Sequence, residues 1–205
     1  MERWLALELV STIRHDGDGG ITDDLATVQG TARWIREHGD LLADRIEVGE
    51  LAVDEDLRLE IIELRQAVRA LFGWAVSPAP PSPPDAHRLM STDQAVTHLN
   101  TAAACEPVTP QLVWPLEGVP RVRLLSAEND PYVRLVAALA RAAIDFLSGP
   151  QRLQLRSCTA PRCVRYFIKG HGRQEWCKPS CGNRARAARH YRRQRAATDG
   201  GSAPS

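Results

Sequence analysis

The sequence predicts a mainly α fold: a helical N-terminal domain carrying one small β-hairpin, followed by a short cysteine-clasped module that ends in a basic helix. Three observations carry this expectation. Apolar side chains recur at helical spacing through most of the first 150 residues. Four of the five cysteines crowd between positions 158 and 181. Charge divides the chain at the same place: residues 1–150 carry 13 Arg/Lys against 23 Asp/Glu, whereas residues 151–205 carry 13 against 2.

Trp4, Leu5, Ala6, Leu7, Leu9, Val10 and Ile13 predict a short buried helix that ends in the glycine-rich loop 14–20. Thr22, Asp23 and Asp24 then supply an N-cap and first-turn acids for a helix marked by Leu25, Val28, Ala32 and Ile35 and stopped at Gly39. Asp54 caps the clearest helix, in which Leu57, Ile61, Leu64, Val68 and Leu71 form one apolar stripe. The stretch SPAPPSPP, 77–84, is too proline-rich for a helix or central strand and predicts a stiff extended connector. Helical pattern resumes after Asp85 and runs to about Ala104. Between Pro107 and Leu125 the period changes, and 112–114 with 122–125 predict a hairpin around Glu117 and Gly118. Asp130-Pro131 gives a cap with proline at the first helical position. Val133, Ala137, Ala140, Ile144 and Leu147 carry that helix to Gly149-Pro150, the expected domain boundary.

A body of about 150 residues buries enough surface to fold unaided, whereas the arginine-rich remainder needs a staple. The N-terminus lacks a basic leader and a small-residue cleavage site, and no run reaches the roughly 18 apolar residues of a membrane span. Both features, with clustered cysteines, point to a cytoplasmic protein with reduced thiols. No phosphate loop, nucleophile elbow or HExxH-type motif is present. His15, Asp16 and Asp18 are the best catalytic candidates, but such a loop is more often a solvated turn, so the chain is read as no enzyme. Trp4, Trp34, Trp74 and Trp114 read first as core residues, with an effector pocket as their other use, and Cys105 reads as a small buried hydrophobe. The tail 198–205 is small and polar and is expected to be disordered.

The cysteine spacing is Cys158-x4-Cys163, thirteen residues, then Cys177-x3-Cys181. Two thiolate pairs, each closed by a short turn, are how a small chain surrounds a tetrahedral ion, so one structural Zn2+ is expected on these four. Such a site contributes on the order of 10–16 kcal/mol, which supplies the missing staple. His171 and His190 lie outside the paired spacing. Between the pairs, aromatic residues flank Gly170-His171-Gly172, as a short hairpin would, and the second pair is placed to lie on the first turn of a helix. Knuckle, hairpin and helix describe a treble-clef-like four-cysteine zinc finger ending in a basic helix.

On that helix Ala187, Ala188 and Tyr191 are expected to pack toward Trp176 and Phe167. Arg186, Arg189 and Arg193 would lie opposite, flanked by Arg184, Arg192 and Arg195. From residue 151 onward Arg outnumbers Lys by 11 to 2, the preference of surfaces that grip phosphate or guanine in two-pronged fashion. These six arginines are the candidate DNA contacts. A solvated basic face, and docking of the basic tail on the acidic body, are the competing readings.

CGNRARAARHYRRQR, from Cys181 on, resembles the signature of the bacterial CGNR zinc-finger proteins. LALELVSTI and DDLATVQGTARWIREHG are similar to the helical ABATE domain that precedes that finger. The resemblance implies stress-induced transcription regulators, in which a DNA-binding finger follows a regulatory domain. Residues 1–150 would be that domain and 151–197 the finger, with Cys158, Cys163, Cys177 and Cys181 as ligands. Asn183 and Arg184 belong to the motif, and Gly182 is assigned to close backbone approach at the metal knuckle. One departure is Gln174-Glu175-Trp176, where such proteins often carry two basic residues before the tryptophan. The helix is left to carry more of any DNA contact. Expected partners are DNA, an effector or protein at the N-terminal domain, and a second copy of the chain; the alternative is a protein-interaction adaptor that binds no DNA itself.

Overall fold

The computed structural model describes residues 3–15, 20–43, 46, 51–82 and 90–199, with the side chains of 196–199 excepted. The body is built from α1 (Leu5–Val10), β1 (Ile13–His15), β2 (Ile21–Asp23), α2 (Val28–Glu37), the single turn α3 (Gly39–Leu42), α4 (Glu55–Ala75), α5 (Thr92–Ala104), β3 (Val108–Val113), β4 (Arg121–Ser126) and α6 (Pro131–Ser148). A 3-10 turn (Pro150–Gln154) leads into β5 (Leu155–Ser157), β6 (Tyr166–Ile168) and α7 (Pro179–Asp199). The described strands pair as three antiparallel hairpins: β1 with β2, β3 with β4, and β5 with β6.

The centre is α4. Asp54 accepts a hydrogen bond from the Leu57 amide at 2.9 Å and starts the helix. The stripe Leu57, Ile61, Leu64, Val68 and Leu71 is buried as its spacing requires. It packs with α1, α5 and α6 around Phe72 and Phe146, whose ring centroids lie 5.0 Å apart. Asp130 caps α6 through the Tyr132 amide at 2.8 Å, with Pro131 in the first turn. A Ser91–Gln94 capping box opens α5 at Thr92. Residues 83–89, where the start of this helix was expected, fall outside the described residues, as do Asp16, Asp18 and the tail beyond 199.

The first hairpin corrects the expected order of the N-terminal elements. The helix ends at Val10, Thr12 Oγ1 closes it by donating to the Leu9 carbonyl at 2.7 Å, and Ile13 enters β1 instead of continuing the helix. Thr22 and Asp23 lie in β2, and the N-cap of α2 is Thr27, which accepts from the Gly30 amide at 3.0 Å. Asp23 is claimed from a distance. Arg65 on α4 grips both its oxygens, at 2.5 and 2.7 Å, and donates to Thr12 Oγ1 at 2.9 Å. Burial would raise the Asp23 carboxyl, but the Arg65 guanidinium holds it below its ordinary value.

Two expectations about apolar residues also change. Trp34 is buried and Trp4 half-buried against Phe146, but Trp74 and Trp114 are 65% and 70% exposed. Cys105 is exposed at the end of α5. The β3–β4 hairpin forms as expected, though longer, with Leu112 opposite Val122. None of its apolar side chains joins a core.

The main core continues past residue 150. Leu155 and Tyr166 belong to it, and the Tyr166 ring meets Phe72 edge-on at 5.6 Å. Arg69 on α4, 2% exposed, donates to the Val10 carbonyl at 2.7 Å, to Ser82 Oγ at 3.1 Å and to the Val164 carbonyl at 3.2 Å. Its guanidinium also lies over the Tyr166 ring at 5.4 Å. The described part of the proline-rich connector is a strap: Ser82 bonds Tyr166 Oη and the Val164 carbonyl, and the Pro80 carbonyl accepts from Ser157 Oγ at 2.6 Å.

Candidate metal centre and nucleic-acid interface

Cys158 and Cys163 sit in the loop that joins β5 to β6. The Cys158 amide bonds the Arg165 carbonyl at 2.9 Å, and the Cys163 amide reaches back to the Ala160 carbonyl at 3.0 Å. Pro161 and Arg162 occupy the centre of this turn, with Arg162 in the left-handed region at φ 62°. The hairpin therefore surrounds the first knuckle. The hairpin expected around Gly170 and Gly172 does not form; 171–178 is a run of turns. The reason is that Tyr166 belongs to the body core and Phe167 to the cysteine cluster, and their strand finds its partner before the knuckle.

Cys177 precedes α7 and Cys181 lies in its first turn. The four Sγ atoms lie within 4.8 Å of one another. Cys163–Cys177, Cys177–Cys181 and Cys181–Cys163 are 3.7, 3.5 and 3.8 Å apart. A Zn–S bond of about 2.3 Å makes the edge of a regular ZnS4 tetrahedron about 3.8 Å, so the donor set fits zinc in kind and in size. The electrostatics agree. Hydrogen bonds from the Cys163 and Cys177 thiols hold Cys158 down at about 2, the bond to Cys158 pushes Cys163 up to about 11, and the contacts with Cys158 and Cys163 raise Cys177. His171 and His190 take no part in the cluster.

The residues after Cys181 acquire roles. A Cβ on Gly182 would come within 3.0 Å of the Trp176 ring, so the close approach there is to that indole. Asn183 Oδ1 accepts from Arg186 at 2.6 Å. Arg184 donates to Cys181 Sγ at 3.2 Å. The buried side of α7 is Cys181, Gly182 and Ala185, with Ala188 half-buried; Ala187 and Tyr191 are exposed, contrary to the expected seam. Cys181 must face the metal, and that fixes the phase of the helix. Arg186 and Arg189 accordingly lie beside the seam, over the Trp176 ring at 6.0 and 5.5 Å, and not opposite it.

Residues 4–150 match the ABATE family, described as "Putative stress-induced transcription regulator". The chain belongs to the ABATE family. Residues 154–194 match the CGNR zinc finger. Neither description is that of an enzyme. The CGNR finger holds one structural zinc, for which its four cysteines are positioned. No curated protein matches the chain. Among the described residues no helix is long and apolar enough to cross a membrane.

In the CGNR finger Arg184 supports a ligand without being one. Groups that hydrogen-bond a metal ligand typically matter 10–100-fold in affinity, so Arg184→Met is expected to weaken zinc binding about tenfold or more. Competition with a chromophoric chelator measures it.

Proposed function

We propose that the chain is a zinc-dependent DNA-binding transcription regulator, with α7 as the DNA-contacting element and the N-terminal domain as an effector- or partner-binding module. The observation that carries this is the placing of Arg184, Arg186, Arg189, Arg192, Arg193 and Arg195 along a helix whose seam the metal fixes. Arg186, Arg189, Arg192, Arg193 and Arg195 are exposed. No ion pair to a described acid engages Arg184, Arg186, Arg189, Arg192 or Arg193. An arginine-rich helix with a rigid base and few acidic competitors suits phosphate contact. With about six phosphates neutralised, log affinity for random duplex against log salt should fall with a slope near −5. A flat line for the zinc-loaded protein, with a nuclease-resistant pull-down, would support the adaptor reading instead.

The input side of this reading is supported by an apolar cleft of about 470 Å3 between α4, α5 and α6, walled by Leu71, Trp74, Val96, Leu99, Ile144 and Leu147. Apolar clefts of a few hundred Å3 are the usual form of a small-molecule site.

The exposed β3–β4 arm supports self-association. Leu112, Trp114, Leu116, Val119 and Val122 are each at least 64% exposed. A lone two-stranded hairpin is marginal in water, and one small finger reads few base pairs; a second copy covers the arm and supplies a second finger. Light scattering on the eluting full-length protein should give twice the monomer mass, and W114S/L116S should give the monomer. A monomeric wild type at tens of micromolar would end this part of the reading.

A further inference from the structure

A second cleft, of about 310 Å3, opens between the β1–β2 hairpin of the body and the CGNR finger. Its cationic wall is drawn from separate elements: Arg14 from β1, Arg165 from the strand side of the knuckle, Lys178 from the entry to α7, and Arg184 from its second turn. Thr22 and Ser180 add hydroxyls, and no described carboxylate lines it. Local partners consume only part of this charge. Arg14 pairs with Asp24, which lies outside the lining, and Arg184 leans on Cys181 Sγ with its Nε buried and without a partner. Arg165 and Lys178 meet no described acid within ion-pair distance. A zinc with four thiolates carries two positive charges against four negative ones. Counting it and Asp24 against the four cations still leaves the cleft positive, and Ser180 and Cys181 bring the first turn of α7 into the same wall.

We propose that this cleft binds a phosphate-class anion, held between Arg14 of the body and Arg165, Lys178 and Arg184 of the finger. Several cations and two hydroxyl donors gathered around one recess are the chemistry of a phosphate seat. Because the walls belong to both parts of the chain, occupancy ties the body to the finger. The phosphate comes either from a free small molecule, which makes the cleft an input site, or from the DNA backbone, which extends the contact of α7 onto the body.

The test uses zinc-loaded full-length protein and inorganic phosphate as probe, titrated calorimetrically at fixed ionic strength against chloride. The double variant Arg165→Gln/Lys178→Gln removes two cations whose side chains bond no cysteine sulfur and leaves their backbone bonds to the Cys158 and Cys181 amides in place. Wild type should bind phosphate and the double variant at least tenfold more weakly, with zinc content and circular dichroism unchanged. Anisotropy with random duplex identifies the source. Unchanged DNA affinity in the double variant assigns the seat to a free anion; a salt slope flattened by about two assigns it to the DNA backbone. The proposal is overturned if wild type takes up phosphate no better than chloride and the double variant binds DNA normally, or if the variant's sole effect is weaker zinc binding, which would make these side chains counter-ions of the thiolates. Should the double variant fail to fold, Arg14→Gln takes its place. The calorimetric arm contains no DNA and stands or falls apart from the regulator reading.

Discussion

Removing the metal with a chelator is expected to melt the CGNR finger and leave the helical body folded. Apart from its cysteines the finger's own cluster holds Ala160, Phe167 and Ala185, with Trp176 and Cys177 at its edge. No helix of 21 residues with its seam on three small side chains survives on that alone; a structural zinc site adds on the order of 10–16 kcal/mol. The body is expected to hold without the ion, because its core runs from Leu5 through α4 to Phe146 and includes Leu155 and Tyr166 of the hairpin. Far-UV circular dichroism should therefore lose the share of α7, while the cooperative thermal transition of the body persists at slightly lower temperature. Cys181→Ser should do the same in the presence of zinc. Loss of all helical signal on chelation would show that body and finger fold as one unit, and no loss would show that the metal is dispensable.

Arg69→Ala is expected to cost about 3–5 kcal/mol, as much as truncating a buried core aromatic. The guanidinium serves the Val10 carbonyl, Ser82 Oγ and the Val164 carbonyl at a site with 2% exposure, and it covers the Tyr166 ring. Each buried acceptor left without its donor costs about 1–3 kcal/mol, and the space left by the long side chain adds to that. Arg69→Lys keeps a charge but not the fork that reaches α1, the strap and the knuckle together, so it should rescue less than half. Urea unfolding of the zinc-loaded chain, with exposed Arg36→Ala as control, measures both. A loss under 1 kcal/mol would mean that the strap and knuckle are held chiefly by the apolar contacts of Tyr166.

Both results depend on contacts that are long in sequence, and these are where the sequence was hardest to read. The stripe on α4, the Asp130-Pro131 start of α6 and the β3–β4 hairpin are local patterns, and each is present. The four cysteines were legible because metal geometry restricts spacing. The β1–β2 hairpin was not. Thr22, Asp23 and Asp24 look like a helix cap locally, and only Arg65, 42 positions from Asp23, gives that carboxylate its use. Nor could proline content show that the connector straps the finger to the body, since the decisive groups, Ser82 and Val164, are 82 residues apart. The face of α7 follows from the metal and not from hydrophobicity. Hydrophobicity points to Ala187 and Tyr191; counting helical turns from Cys181, which has to meet the metal, leads to Ala185 and Ala188.

The most direct test of the central claim is a salt titration of binding to random duplex DNA, followed by fluorescence anisotropy, with wild type beside the variant in which Arg186, Arg189 and Arg193 are all changed to Gln. Zinc content and α7 helicity of the variant are checked first, because Arg186 and Arg189 also cover Trp176. The wild-type slope is expected near −5 and flattens by about 3 in the variant, with affinity at physiological salt down at least tenfold. A wild-type slope near zero, or a folded variant that binds as tightly and as steeply as wild type, would contradict it.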